Sequence, residues 1–527
     1  MLLLALAPFA ATAASAPPEA AAPESAARAA RPFFIQEYRV EGVQAVGRAE
    51  IEDAVYPFLG PGRTVDDVER ARAAVEKVYR DRGYQTVVVQ IPEQTAAGGV
   101  VRLAVTEGKV RRLRVRGARY FSPARIKAGA PSLAEGRVPD FNAIPADMVA
   151  LNQLADRRVT PSLRPAPTPG DVDIDLEVKD SLPLHGSLEL NNRRSAQTTA
   201  LRLNGALSYG NLWQRGHTLA FNFQIAPERR DDAEVYSASY SARVPTVDWL
   251  TLTLRGTKQN SNLSTLGGSA VNVVSPGTTA GLHADIALPG ADGFYQSLSL
   301  GLDYKRSEEN VTIAQTLTHT PLTYYPVTAF YTAVVAGKRS ETDFTAGVTL
   351  SLRGVGSNSA DFARKRYGAD ADFLTFRADL SHTHELPAGF QVFGRVQGQL
   401  ANEPLVNSEQ LSGGGLDTVR GYFESEVLAD DGVFGSLELR SPSLLAWFGE
   451  KTGEWRVYVF GDLGGMTVIR AQPEQDARFT LSSLGFGSRI RLRDHFTGSV
   501  DAAFPLDAQA HTREPNLHLT FRAGADF

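Results

Sequence analysis

The stretch LSGGGLDTVRGYFESEV, residues 411–427, gathers the residue types that build one specific contact. Gly413, Gly414 and Gly415 release the backbone so that the chain can bend sharply, and Gly421 gives the same freedom beside Arg420. An arginine in a wet but confined space needs an acceptor, and its planar fork suits a carboxylate best. One candidate stands downstream in VYVFGDLGG (457–465), where Asp462 shares a strand face with Tyr458 and Phe460. Period alone does not decide whether that face looks inward. The chemistry is ion pairing rather than catalysis. G-x-S-x-G, H-E-x-x-H and the phosphate-binding G-x-x-x-x-G-K-[ST] do not occur. His382-Thr383-His384-Glu385 is the nearest thing to a metal cluster, but adjacent strand residues point oppositely, and two histidines plus a turn carboxylate make a weak ligand set. No catalytic residue, metal or cofactor is expected, and the chain is not read as an enzyme.

The elements that must position Arg420 and Asp462 are strands. From about residue 181 helical periodicity disappears and two-residue alternation takes over, as in LRLNGALSY (201–209), LAFNFQI (219–225), SLSLGLDY (297–304) and GSLELRSP (435–442). Apolar residues alternate with Asn, Thr, Ser, Arg or Gln, and Gly/Pro/Asn/Asp clusters separate the runs. Apolar residues toward lipid, polar ones toward a lumen and strands of about 9–11 residues describe a transmembrane β-barrel. Roughly 345 residues at about 20–24 per strand and connection give some 14–17 strands, and an even count of 16 is the natural choice. In the last strand, LHLTFRAGADF (517–527), Leu517, Leu519, Phe521, Ala523, Ala525 and Phe527 all point one way. A barrel this wide is not filled by its own side chains, so something else must occupy the lumen.

The N-terminal third is mixed. Residues 33–108 read as strand, helix, helix, strand, strand: FFIQEYRVEG (33–42), RAEIEDAVYPFLG (48–60), TVDDVERARAAVEKVYRDRG (64–83), YQTVVVQIP (84–92) and GVVRLAVTEG (99–108). The long helix buries Val68, Ala71, Val75 and Val78, starts on Thr64 or Asp66 and stops at Gly83. The order recurs over 109–180, with strands at 113–121, 159–165 and 171–180 and helices at 122–130 and 141–158. Two copies of one small α+β unit in tandem make an extended binding platform.

Charge is nearly balanced at −5, with no basic stripe pointing to nucleic acid. There is no cysteine, which excludes disulfides and thiolate metal sites and suits an oxidising compartment. MLLLALAPFAATAASA (1–16) has the short apolar core and small-residue site of a secretory signal peptide, and residues 17–32 read as an Ala/Pro/Glu linker.

These residues carry a resemblance. The tandem unit resembles the polypeptide-transport-associated (POTRA) domain, found in periplasmic arms of outer-membrane translocation proteins. Val419-Arg420-Gly421-Tyr422 resembles the Val-Arg-Gly-Tyr motif in the sixth extracellular loop of the superfamily that includes the two-partner secretion transporters (TpsB). The resemblance implies that loop 411–434 folds back into the barrel and that Arg420 pairs with Asp462 of Phe460-Gly461-Asp462. GFGSRIRL (485–492) and VDAAFPLD (500–507) are similar to the family's closing strands. An alternating strand ending in Phe527 resembles the signal read by the barrel-assembly machinery. The implied architecture is POTRA 1 (33–108), POTRA 2 (109–180) and a barrel (181–527). The implied function is export of an unfolded partner exoprotein across the outer membrane without ATP, with outer-membrane lipid around the barrel and the POTRA domains in the periplasm. An assembly factor of the same superfamily, which inserts other barrels, is the alternative, but such factors generally carry more POTRA repeats. Members often have an N-terminal plug helix; here ESAARAAR (24–31) offers two turns at most. The partner's identity is not written in the chain.

Overall fold

A computed structural model of the protein describes residues 32–527, apart from 96, 169, 246, 248, 261–263, 266–271, 274–275, 309, 314–315, 320, 450–452, 494 and 514–515. The leader and almost all of the linker fall outside the described residues. The chain divides into two compact units, Met1–Asp180 and Ser181–Phe527.

The first unit holds two α+β modules of one topology. In the first, Val100–Glu107 is the central strand, parallel to Glu37–Glu41 and antiparallel to Val87–Gln90. Helices Arg48–Val55 and Val65–Asp81 pack against it through Ile51, Val55, Val68, Ala71 and Val75. Thr64 begins the long helix in a capping box with Asp67. The inward residue of its last turn is Tyr79, fully buried, rather than Val78, which is only partly buried. A tyrosine is tolerated there because its hydroxyl donates to Glu107 at 2.8 Å. The segment expected as one strand over 33–42 is two: Phe33–Ile35 pairs with Gly60–Arg63, and Glu37–Glu41 joins the main sheet.

The second module repeats the pattern, with Val172–Asp180 central, parallel to Val110–Arg116 and antiparallel to Arg157–Pro165. Helices Pro123–Ala128 and Ile144–Leu151 cover one face, around Leu113, Ile126, Ile174 and Leu176. The helix expected over 141–158 ends at Leu151, whose carbonyl is taken by the Arg157 guanidinium at 3.0 Å.

The second unit is a closed antiparallel barrel of sixteen strands. In chain order they are β1 (Leu184–Asn191), β2 (Arg202–Leu212), β3 (His217–Ile225), β4 (Glu234–Arg243), β5 (Leu250–Gln259), β6 (Gly277–Ala291) and β7 (Phe294–Ser307). Next come β8 (Leu322–Tyr324 with Val327–Ala336), β9 (Ser340–Leu350), β10 (Leu374–Glu385), β11 (Gln391–Ala401) and β12 (Asp431–Arg440). The last four are β13 (Gly453–Thr467), β14 (Arg478–Leu492), β15 (Phe496–Pro505) and β16 (His518–Asp526). The two parts of β8 keep one register against β7 across Pro326, which has no N–H to give the ladder. Closure is made by β16 on β1, from Arg522↔Asn191 to Asp526↔Ser187. Phe527 extends it by exchanging backbone hydrogen bonds with Gly186, over which its ring lies too closely for any Cβ.

Alternation sorts each strand into an inner and an outer face. On β13, Tyr458, Phe460 and Asp462 are buried, while Val457, Val459 and Leu463 are 41%, 57% and 63% exposed on the outside. Leu219, Phe221, Leu254, Leu302, Leu380, Val396, Leu437, Phe486 and Leu519 belong to the same outer apolar surface.

Candidate functional site

The connection between β11 and β12 runs over 402–430 and turns into the lumen. It is longer at its N-terminal side than the expected 411–434, and 431–434 belong to β12, where Val433 and Phe434 already alternate outward and inward. A small hairpin, Leu411–Gly413 with Val427–Ala429, gives this segment structure of its own. Gly415 and Gly421 have φ of +95°, a region costly for a side chain, and a Cβ at Gly421 would press Ala503 and Pro505 of β15.

The loop's inner surface is apolar where it meets the wall: Val419, Tyr422, Val427 and Ala429 pack with Phe434, Met466 and Leu481. Beside them sits Arg420, 6% exposed. Its Nε and Nη2 donate to the two oxygens of Asp462, both at 2.7 Å, and its backbone N–H donates to the same carboxylate at 3.1 Å. Nη1 reaches Glu438 of β12 at 2.6 Å, and the guanidinium plane stacks 3.5 Å from the centre of the Phe460 ring. Gly461 occupies the outward position between Phe460 and Asp462, facing away from the cluster. Tyr422 anchors the motif's other end: its hydroxyl lies 2.8 Å and 3.0 Å from the carbonyls of Asp507 and Ser482. Arg420 and Asp462 are therefore together, on the lumen side.

Sequence reasoning missed the rest of the cluster. Glu438 also takes Arg440, Ser436 donates to Asp462 at 2.7 Å, and Asp501 accepts from Tyr458 at 2.6 Å while standing 3.7 Å from Arg420. Ser436, Glu438 and Asp501 lie at inward positions of GSLELRSP and VDAAFPLD, so strand parity was an available signal once the inward face was known. Three further anchors had no such signal. Arg193, just after β1, donates to Glu424 at 2.8 Å and Asp417 at 2.5 Å. Arg366, following helix Ser359–Lys365, pairs with fully buried Asp430, which also accepts from the Leu405 and Ile469 N–H groups. Glu409 takes Lys305 of β7 and Tyr324 of β8, each at 2.6 Å. His382 and His384 share one face of β10, their rings 6.1 Å apart, and Glu385 faces the other way.

The loop leaves part of the lumen open. A cavity of about 740 Å³ runs between its hairpin and the wall of β3–β11, lined by hydroxyl, amide and charged side chains, with Arg255 and His283 held on Asp303.

This geometry has relatives. Residues 170–490 match the family described as haemolysin secretion/activation protein ShlB/FhaC/HecB, and residues 33–108 match the ShlB-type POTRA domain. The chain is similar to the outer membrane transporter CdiB of Escherichia coli O6:K15:H31, 26% identical over 92% of this chain and 81% of that protein. It is 22% identical to CdiB of Dickeya dadantii over 94% of this chain and 87% of the other. The solved structure of CdiB from Escherichia coli shares the fold, with a TM-score of 0.60 at 21% identity, covering 97% of this chain and 92% of that one. The chain belongs to the ShlB/FhaC/HecB family: a two-partner secretion transporter of the outer membrane, with POTRA domains in the periplasm.

Proposed function

We propose that this chain exports one unfolded partner protein, without nucleotide, by capturing it on the POTRA modules and passing it through the barrel beside or past the lumen loop. The observation that carries this reading is the lumen itself: a wide barrel occupied by a loop held on buried charges, with a polar cavity alongside. Both α+β units, 33–108 and 109–180, serve as POTRA domains and offer backbone donors and acceptors at their sheet edges, which recognise an extended chain with little demand on its sequence. Directionality comes from the cargo folding outside. Arg420, with Val419, Gly421 and Tyr422, closes the loop on Phe460-Gly461-Asp462, and the strand ending in Phe527 is the address read during barrel assembly.

The test is export of the partner protein from a host carrying both genes. Arg420→Ala and Asp462→Ala are expected to reach the outer membrane as folded barrels and to lose export. Wild-type export from both variants would remove the loop contact from the mechanism, and export by a chain lacking 33–180 would remove the capture step.

A further inference from the structure

The outer face of the second module's sheet is a field of arginines. Helices cover the other side, where Leu113, Val159, Ile174, Leu176 and Val178 are buried. Facing away from them on the edge strand Val110–Arg116 are Arg112, Arg114 and Arg116, with Arg111 turned the same way at a register shift. Arg158 and Arg164 face outward from the opposite edge. The central strand answers with three carboxylates, two of them sunk beneath the guanidinium groups. Asp173 takes Arg111 at 2.9 Å, and Asp175 lies 3.0 Å from Arg114 and 3.1 Å from Arg116. Asp175 is 1% exposed, whereas the Arg114, Arg116 and Arg164 side chains are 37%, 50% and 55% exposed. The acids therefore fix the arginines from below without neutralising the face, which stays strongly positive on a chain of net charge −5.

The two edges are unequal. Arg157–Pro165 is blunted by Pro161, Pro165 and the Asn152 side chain, which takes both the N–H and the carbonyl of Val159. On Val110–Arg116, residues 134–137 cover the first half, and among the described residues none covers the end carrying Arg114 and Arg116. Side chains two apart along an extended chain repeat every ~6.6 Å, the interval that also separates Arg112, Arg114 and Arg116.

We propose that this face binds an extended segment of the exported chain carrying aspartate or glutamate at alternate positions, laid along the Val110–Arg116 edge. The inference rests on the export role proposed above and names the chemistry of its captured segment. Charge complementarity favours an acidic peptide, and the strand-edge geometry favours an extended one over a flat anionic surface.

The experiment uses the purified full-length protein and a dye-labelled peptide alternating aspartate and threonine, read by fluorescence anisotropy at low and high salt. Comparison peptides carry the same aspartates in one block, or lysine in their place. The alternating acidic peptide is expected to bind best and to weaken with salt, and R112E/R116Q to lose about tenfold or more in affinity. Asp173 keeps Arg111 and Asp175 keeps Arg114 in this variant, and circular dichroism checks its fold. Unchanged peptide affinity in R112E/R116Q, or equal binding of the blocked and alternating peptides, overturns the proposal. So does a variant that keeps peptide binding and loses only its binding to phosphatidylglycerol vesicles, which assigns the face to a membrane. Export that survives deletion of 33–180 is a different failure: it sinks the capture step, whatever the peptides do.

Discussion

Removing the Arg420 side chain isolates what holds the loop. The substitution deletes two bonds to Asp462, one each to Glu438 and Ser436, and the stack on Phe460. It leaves Asp462, 3% exposed, and Asp501, equally buried, without their cation. Breaking a buried pair from one side costs about 3–5 kcal/mol. Asp462 keeps Ser436 and the residue-420 N–H, and Glu438 keeps Arg440, so the lower end, about 3 kcal/mol, applies. That shifts the balance between seated and unseated loop by about 10². The chain has no cysteine, so Val419→Cys gives a single thiol at a position that is 0% exposed while the loop is seated. Labelling by a polar maleimide then reports the unseated fraction. In R420A the labelling rate should rise about 10²-fold over the Val419→Cys parent, while the barrel stays folded because no strand pairing uses this side chain. A rate within about threefold of the parent would refute the buried-pair argument and reduce Arg420 to the value of a surface charge.

Three further outcomes are expected. Tyr422→Phe, which strips the hydroxyl from the Ser482 and Asp507 carbonyls, should weaken seating by about 1 kcal/mol and raise Val419→Cys labelling only several-fold. Gly415→Ala drives a Cβ into the Glu424 carboxylate at a φ of +95°, so it should loosen the loop from Arg193 and become visible as faster exchange of the amides of 414–418. In the first module, burial pushes the Tyr38 hydroxyl up to about 12, and burial with the Glu107 contact raises Tyr79 as well. Both groups hold their protons more tightly folded than unfolded. Their stabilisation is therefore complete below about pH 10 and lost as pH climbs toward 12, which hydrogen exchange of helix Val65–Asp81 across that range will measure.

The barrel was legible because strand alternation depends on solvent partition, a property each strand carries by itself. Leu517 and Leu519 declare the outer face of the last strand from local sequence alone. The pairing of Arg420 with Asp462 came from a motif resemblance, since parity could not say which face of β13 looked inward. Glu438 and Asp501 were hidden for that same reason. Arg193 and Arg366 were hidden more deeply: they lie in connections, where no period applies, and meet their carboxylates only after the sheet has closed. Within the modules, Tyr79 displaced Val78 because a partner for its hydroxyl lay on a strand 28 residues away.

The short hairpin inside the lumen loop has a mechanical consequence. Leu411–Gly413 and Val427–Ala429 hold each other, so 411–429 is a stiff panel rather than a slack tether. A panel cannot give way residue by residue. It would swing clear as a whole, about the stretches 402–410 and 430, only when its anchors let go together. In the export proposed above, passage would thus open in an all-or-none step, and a partial obstruction would be the rarest of its states.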